Sequence, residues 1–261
     1  FQWGRLAAHD KAKVQAAAGG SVASEPALNA ATTMSSMDDH RLSHSLEQMI
    51  ERRVHFLTDY QNAAYAAKYK ALVDQVQIAE QQKAPGLTGL TEVVARYLFK
   101  LMAYKDEYEV ARLYTSGEFQ NKINATFDGN YKIAFNLAPP LFSKRGDNGH
   151  LVKREYGAWM FTAFKLLAKM KGLRGTVFDI FGKTAERRME RQWIESYHRT
   201  IAELMAGLNH DNHALAIQIA SIPELIRGYG HVKEAHQAKA EQQWVSLLSA
   251  WRNPTHAKAA A

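Results

Sequence analysis

The chain has 261 residues, of which 46% are hydrophobic and 10% aromatic, so it can bury the core of one large domain or of two small ones. It contains no cysteine, which excludes a disulfide, a thiolate nucleophile, a cysteine-ligated zinc and a cysteine-held iron–sulfur cluster within these residues. The formal net charge of +7 favours anionic partners, but the basic residues are interspersed with acidic ones and form no run of five or six like charges.

The sequence gives no sign of a membrane span or of a secretory leader. No apolar run approaches the roughly 18 residues that a span needs. The first residues, FQWGRLAAHDKAK, lack the basic start and apolar centre of a signal peptide. We therefore expect a cytoplasmic protein with no membrane contact.

The N-terminal part differs in composition from the rest. Residues 1–18 have a short helical pattern that is typical of the tail of a preceding domain. Residues 19–44 are rich in Gly, Ala, Ser and Thr with little apolar periodicity, which predicts a flexible linker. An α-rich domain is predicted over 45–252, followed by a disordered tail over 253–261.

Helical spacing of apolar residues dominates the predicted domain. Ser45 and Gln48 form a capping box before a long helical pattern that runs to about 82. Thr91 is predicted to cap the next helix and Thr184 a later one. The remaining patterns cover about 106–114, 158–171, 184–208, 212–222 and 232–251. The fold class is thus predicted to be mainly α, a multi-helix domain.

One segment has a different pattern. Residues 124–142, NATFDGNYKIAFNLAPPLF, alternate apolar and polar residues on both sides of Asp128-Gly129. Asp-Gly between alternating residues is a strong hairpin signal. We therefore predict one small β-hairpin insertion at about 124–138, packed on the helices because a lone hairpin is unstable.

Histidines at 210 and 213 are the first candidates for a metal site, since two histidines three apart on a helix could share a ligand face. Yet Asp211 or Asn212 lies where the following helix needs a polar cap. His231 and His236 are five apart and lack an obvious carboxylate partner. We predict no metal site, and no nucleophile or phosphate-loop motif indicates a catalytic residue.

Two turns place cations beside glycines, Lys171–Gly175 and Arg227–His231. Glycine allows a phosphate to approach the main chain, and a following helix N-terminus adds positive potential. The alternative is a helix C-cap glycine with a cation near the terminal carbonyls. Both interpretations remain open from the residues alone.

Four segments in this order resemble the C-terminal region of the fused indolepyruvate ferredoxin oxidoreductase family. They are LTEVVARYLFKLMAYKDEYEVARLYTSGEF (90–119), YKIAFNLAPPL (131–141), KREYGAWMFTAFKLLAKMKGLRGTVFDIFGKTAERRMER (153–191) and IPELIRGYGHVKEAH (222–236). The resemblance extends from about 45 to 251. Residues 1–10 are similar to the closing helix of the family's preceding gamma-type domain.

The resemblance implies an activity for a parent enzyme and not for this chain alone. Members of that family oxidatively decarboxylate aryl pyruvates to aryl-acetyl-CoA and pass the electrons to ferredoxin. Thiamine diphosphate and the iron–sulfur clusters belong to upstream parts of such an enzyme, so no cofactor and no catalytic residue is expected here. The implied partners are the catalytic domains and, through the parent enzyme, ferredoxin and CoA.

Our hypothesis from the sequence is a non-catalytic helical docking domain. Its basic turns would face either the CoA phosphates or an acidic surface of the catalytic domains, and the candidate residues are Arg174, Arg187, Arg227, His231 and Lys233. The alternative is a free-standing basic helical module for nucleic acid or another anionic partner. The sequence lacks the aromatic and basic platforms usual for RNA recognition, which disfavours nucleic acid. An independent enzyme with an unrecognised site is a third alternative.

Overall fold

A computed structural model describes residue 43 and residues 45–129, 131–137, 154–228 and 230–253, with the backbone alone for 230 and 231. The predicted tail at 1–18 and the predicted linker at 19–44, except Ser43, lie outside the described residues. The predicted C-terminal tail lies outside them beyond Asn253. The compact unit discussed below begins at Ser43.

Within these ranges the chain forms nine α-helices and one two-stranded antiparallel sheet, which confirms the predicted mainly α fold class with one small β element. The helices are α1 Leu46–Tyr60, α2 Ala63–Lys83, α3 Leu90–Met102, α4 Glu107–Thr115, α5 Glu118–Thr126, α6 Met160–Lys169, α7 Ala185–Gly207, α8 His213–Ala220 and α9 Gly230–Arg252. Two short 3-10 helices, Met170–Leu173 and Ile222–Leu225, follow α6 and α8. The strands are β1 Phe135–Leu137 and β2 Arg154–Tyr156.

Side-chain caps explain where several helices begin. Ser45 Oγ accepts from the Gln48 amide at 3.2 Å and Thr184 Oγ1 from the Arg187 amide at 3.3 Å, as predicted. The predicted cap at Thr91 is wrong, because α3 begins at Leu90 after Gly89. Thr91 lies inside the helix, where its hydroxyl donates to Glu80.

One large core is formed by α1, α2, α3, α7, α8 and α9. Three of its tyrosines are completely buried, and the hydroxyl of each donates to a backbone carbonyl. Tyr60 donates to Tyr104 O at 2.8 Å, Tyr69 to Ala95 O at 3.1 Å and Tyr197 to Ala220 O at 2.8 Å. These bonds satisfy the polar end of each ring, so the aromatic area is buried without an unpaired hydroxyl.

The β element is paired differently from the prediction. Phe135–Leu137 pairs with Arg154–Tyr156, with Phe135 opposite Tyr156. The predicted first strand is instead the end of α5, and Asp128-Gly129 follows that helix without joining two strands. The pairing proposed within 124–138 is therefore wrong, although β1 falls inside that range.

A second, smaller core explains this arrangement. The Tyr114 ring on α4 lies 4.9 Å from that of Phe119 on α5 and 5.1 Å from that of Phe135 on β1. The Phe135 ring also lies 5.3 Å from Phe164 on α6. An aromatic cluster of this kind stabilises α5 as a helix, since helical winding carries Phe119 toward Tyr114. Tertiary packing thus overrides the local alternation.

Among the described residues, no helix is both long enough and apolar enough to cross a membrane.

Candidate functional site

The GLRG segment contributes an arginine that is part of the protein interior. Arg174 is only 4% exposed, and its guanidinium forms a two-point ion pair with Asp106 at 2.5 and 2.8 Å. A third nitrogen donates to Tyr60 O at 2.6 Å, and the group lies 3.6 Å from the centre of the Tyr60 ring. Burial alone would lower the pKa of Arg174, but the hydrogen bonds with Asp106 raise it overall. Arg174 is therefore a permanently charged structural link.

Asp106 also caps a helix. Its Oδ1 accepts from the Glu109 amide at 2.8 Å, which caps the first turn of α4. One buried carboxylate thus fixes both the start of α4 and the turn before α7. Two of the segments quoted for the family resemblance meet at this contact.

Another buried carboxylate, that of Asp179, bridges the two sides of the loop after Arg174. Asp179 accepts from the Gly175 amide at 2.8 Å, the Gly182 amide at 2.8 Å and the Tyr108 hydroxyl at 3.2 Å. A Cβ added at Gly182 would lie 2.2 Å from Asp179 Oδ2, so only glycine fits there. The loop directs apolar side chains outward, and they are Val177, Phe178 and Ile180.

Arg187 and Lys233 share one counter-ion. Glu190 on α7 is bonded by Arg187 Nη1 at 2.6 Å and by Lys233 Nζ at 2.5 Å. Arg187 also donates to Lys105 O at 3.2 Å and lies 3.6 Å from Glu107 Oε2. Burial raises the pKa of Glu107, although Arg187 acts against that shift. These contacts join α4, α7 and α9, and we call them the charged junction (Glu107, Arg187, Glu190 and Lys233).

A cavity of about 160 Å³ lies against the charged junction. Its wall is mixed in character, with an aromatic side, two glutamates and three lysines. The lining residues that matter here are Lys100, Tyr104, Lys105, Glu186, Glu190 and Lys233. Lys105 is exposed and has no hydrogen-bond or ion-pair partner for its ammonium group among the described residues. It is the cation of this wall that is most open to an external anion.

Lys100 also lines the cavity, but unlike Lys105 it has hydrogen-bond partners. Its ammonium donates to Pro223 O at 2.7 Å and to Glu224 O at 3.2 Å. Burial, and next the charge of Arg227, lower its pKa. Lys100 thus ties α3 to the 3-10 helix that precedes the IRGYGH turn.

The remaining predicted cations stand apart from the ion-pair network. Arg227 is solvent-exposed and bonds Glu224 on its own turn, with Nη2 to Oε1 at 2.9 Å. Tyr229 lies outside the described residues, and His231 is described by its backbone alone, within α9. The structure thus brings Arg187 and Lys233 together, buries Arg174 against Asp106 and leaves Arg227 at the surface.

The histidines considered for metal binding have separate environments. His213 is buried and its Nε2 lies 2.8 Å from Glu80 Oε1, whereas His210 is exposed. Asn212 is the N-cap residue of α8, but its side chain accepts from the Asn209 amide instead of capping the helix. In the described part of the chain, no group of three or more His, Cys, Asp or Glu side chains could hold a metal ion.

Glu80 is an organising residue that sequence reasoning missed. It is buried, and besides His213 it accepts from the amides of Leu90 and Thr91 at 2.8 and 2.9 Å. Burial acts to raise the pKa of Glu80, but the hydrogen bonds, first that of the Thr91 hydroxyl, lower it overall. No local pattern identifies this role, because the amides lie ten and eleven positions away in sequence. Asp106, in contrast, is followed three residues later by Glu109, which is a capping signal that the sequence does contain.

The described residues define a helical domain whose buried charged groups are bonded to partners within the domain. Residues 46–246 match a family model, and the chain belongs to that family, DUF6537, a family of unknown function. Comparison with curated proteins and with solved structures gave no match.

Proposed function

We propose that the chain is the non-catalytic C-terminal domain of an indolepyruvate (aryl pyruvate) ferredoxin oxidoreductase, where it docks on the catalytic domains. The parent enzyme would convert an aryl pyruvate to aryl-acetyl-CoA and reduce ferredoxin in the cytoplasm. The iron–sulfur clusters would be bound by other parts of that enzyme, since this chain contains no cysteine. The resemblance implies the same for thiamine diphosphate.

The observation that carries the proposal is the convergence of the resembling segments. KDEYEVARLY, IRGYGHVK and the stretch that contains GLRG and TAERRMER are far apart in sequence, but the Arg174–Asp106 pair and the charged junction connect them. Buried ion pairs are weak evidence for stability, and in some proteins their role is to specify how helices fit together. A domain with such an interior is suited to presenting a fixed surface to a neighbouring domain.

A finer part of the proposal concerns CoA. Arg174, Arg187 and Lys233 already have protein carboxylates as partners, so they would not supply the main contacts to a phosphate. Lys105 at the cavity and Arg227 on the adjacent turn are exposed, and a phosphate would compete there only with solvent and with Glu224. We therefore place a CoA phosphate at Lys105 and Arg227.

The docking proposal is tested on the native polypeptide and on its activity. An antibody against this chain should detect, in a lysate of its source, a band several times heavier than 29.4 kDa. The purified band should reduce ferredoxin with an aryl pyruvate and CoA. A band near 29.4 kDa with no stable association to a larger oxidoreductase would overturn the proposal.

The CoA contact is tested separately by replacing Lys105 and Arg227 with alanine in that enzyme. The KM for CoA should rise about tenfold, since two charge-assisted contacts are lost, while the KM for the aryl pyruvate stays unchanged. Lys122→Ala with Arg188→Ala removes the same charge at two other exposed positions and should leave both constants unchanged. An unaltered KM for CoA in the Lys105 and Arg227 variant would exclude this contact without affecting the docking proposal.

A further inference from the structure

A long groove runs between α7 and α9 and has no role in the function proposed above. Its volume is about 930 Å³. On α9 the lining residues recur three or four positions apart, from Glu234 through Gln237, Glu241, Val245 and Leu248 to Arg252. On α7 they extend from Met189 to Glu203, a separation of 14 residues or about 21 Å of helix. Two helix faces with this spacing, open to solvent on one side, form a groove that can bind a third helix.

The floor of the groove is aromatic and contains polar groups without partners. The rings of Trp193 and Trp244 are stacked, with 4.8 Å between their centres. Trp244 is 7% exposed, and its indole N–H has no acceptor among the described residues. Gln237 and Thr200 are also buried, and within the described ranges their side chains form no hydrogen bond. Of these three side chains, that of Trp244 alone has a polar atom that is both shielded from solvent and unpaired. The polar atoms of Gln237 and Thr200 stay open to solvent, and so to a polar side chain of a bound partner.

The rim of the groove is acidic, although the whole chain carries a net charge of +7. Glu195, Glu234 and Glu241 are exposed and have no ion-pair partner in the part of the chain that is described. At the far end Arg252 is matched by Glu203 through two contacts of 2.6 Å, so that pair is neutral. Arg199 is the remaining cation of the lining. The free charges of the rim thus have a negative sum.

We propose that this groove binds an amphipathic helix of about four turns from a partner protein, with an apolar stripe and lysine or arginine on both flanks. The stripe covers Trp193 and Trp244, and the flanking cations pair with Glu195, Glu234 and Glu241. A polar side chain within the stripe pairs with Gln237 and Thr200 on the floor. A second copy of this chain is a poorer occupant, because a symmetric contact would place these glutamates against their own counterparts.

This inference is independent of the oxidoreductase assignment. It concerns a surface of the domain itself, and it holds whether the partner helix belongs to a catalytic domain or to an unrelated protein. Failure of the assays for aryl pyruvate and CoA leaves it intact, and failure of the binding test below leaves the docking proposal intact.

The test uses the full chain and two synthetic peptides of about fifteen residues. Both have the same leucine stripe, and they carry either lysine or glutamate on the flanks. Binding is followed by the NMR signals of the five tryptophan indoles. The lysine peptide should shift the indole signals of Trp193 and Trp244 before those of Trp159. The glutamate peptide should bind at least about tenfold more weakly.

Three variants complete the test. Replacing Glu195, Glu234 and Glu241 together with glutamine should weaken binding of the lysine peptide about tenfold. A matched control replaces Glu51, Asp128 and Glu155 with their amides, which removes the same charge elsewhere and should leave binding unchanged. Val245→Asp should weaken binding of both peptides, because it places a charge against the stripe.

Equal affinity for the two peptides, or no binding by either, would overturn the proposal. So would a loss of affinity in the control as large as that in the groove variant. If sedimentation shows a dimer of the chain that Val245→Asp dissociates, the occupant is a second copy and not a basic helix.

Discussion

Arg174 and Arg227 each precede a glycine, but their guanidinium groups lie in opposite surroundings. Arg174 is buried and bonded to Asp106 and Tyr60, whereas Arg227 is exposed and bonded within its own turn. Removing one member of a buried ion pair leaves the other charge buried without a partner. Removing one member of an exposed pair leaves a charge that water solvates. The same residue type in a similar local sequence therefore has two very different effects on stability.

The first prediction is that Arg174→Ala lowers the free energy of unfolding by about 3–5 kcal/mol, because Asp106 is left charged and buried. Arg227→Ala is the matched control, and its effect should stay within about 0.5 kcal/mol. Urea unfolding of the two variants and the parent chain measures both values. Similar losses in the two variants would contradict the burial argument.

At this scale the sequence predicts local partners and misses distant ones. The caps at Ser45 and Thr184 involve residues three positions away, and both were predictable. The partner of Arg174 lies 68 positions away in sequence, and the partner of Lys233 lies 43 away. Spacing along the chain contains no information about such pairs, whereas Arg187 and Arg227 have carboxylate partners three positions away in Glu190 and Glu224.

Among the secondary-structure elements, α3 is unusual because its first amides are capped by a residue of another helix. Glu80 on α2 accepts from Leu90 and Thr91 and from His213 on α8. One carboxylate therefore connects three helices. Its hydrogen bonds, led by that of the Thr91 hydroxyl, outweigh burial and lower its pKa below the ordinary value of 4.5.

The second prediction concerns acid. Because the pKa of Glu80 is lower in the folded chain than in the unfolded one, the unfolded chain binds the proton first as the pH falls. The contribution of Glu80 to stability is therefore complete above its ordinary pKa of 4.5 and is lost as the pH falls through its folded pKa. Glu80→Gln should be less stable than the parent chain at neutral pH, and the difference should narrow in acid.

Urea midpoints measured from neutral pH down to about pH 3.5 check this expectation. Glu51→Gln serves as a control at an exposed position and should give no such convergence. A constant difference between Glu80→Gln and the parent chain at every pH would show that the charge of Glu80 is not responsible.

Most of the helices could be predicted because their apolar patterns are long, but the end of α5 was predicted as a strand, and the break between α1 and α2 at residues 61–62 was missed. The strand pairing could not be predicted, because it depends on the second core, where the rings of Phe119 and Phe135 both contact that of Tyr114. A short alternating run fits a strand or the end of a helix equally well. Long-range aromatic contacts decided between them.

For the molecule as a whole, the range predicted as the α-rich domain contains a large core of its own. Its buried members extend from Leu57 to Trp244. The third prediction is that a chain shortened to residues 43–253 unfolds in one cooperative step. Its unfolding temperature should stay within about 2 °C of that of the full chain. Calorimetry of both chains tests this, and a lower or broader transition would show that residues outside this range support the core.

In evolutionary terms, the carboxylate of Glu190 connects two segments that are distant from each other in sequence. The Glu190 carboxylate forms ion pairs with Arg187 on its own helix and with Lys233 on α9. A relative that replaces Glu190 leaves Arg187 and Lys233 with only the longer contacts to Glu107 and Glu186, at 3.6 and 3.8 Å, which favours a second change at Arg187 or Lys233. Among members of the family, these three positions should therefore change together, while the neighbouring exposed positions Arg188 and Glu234 vary independently.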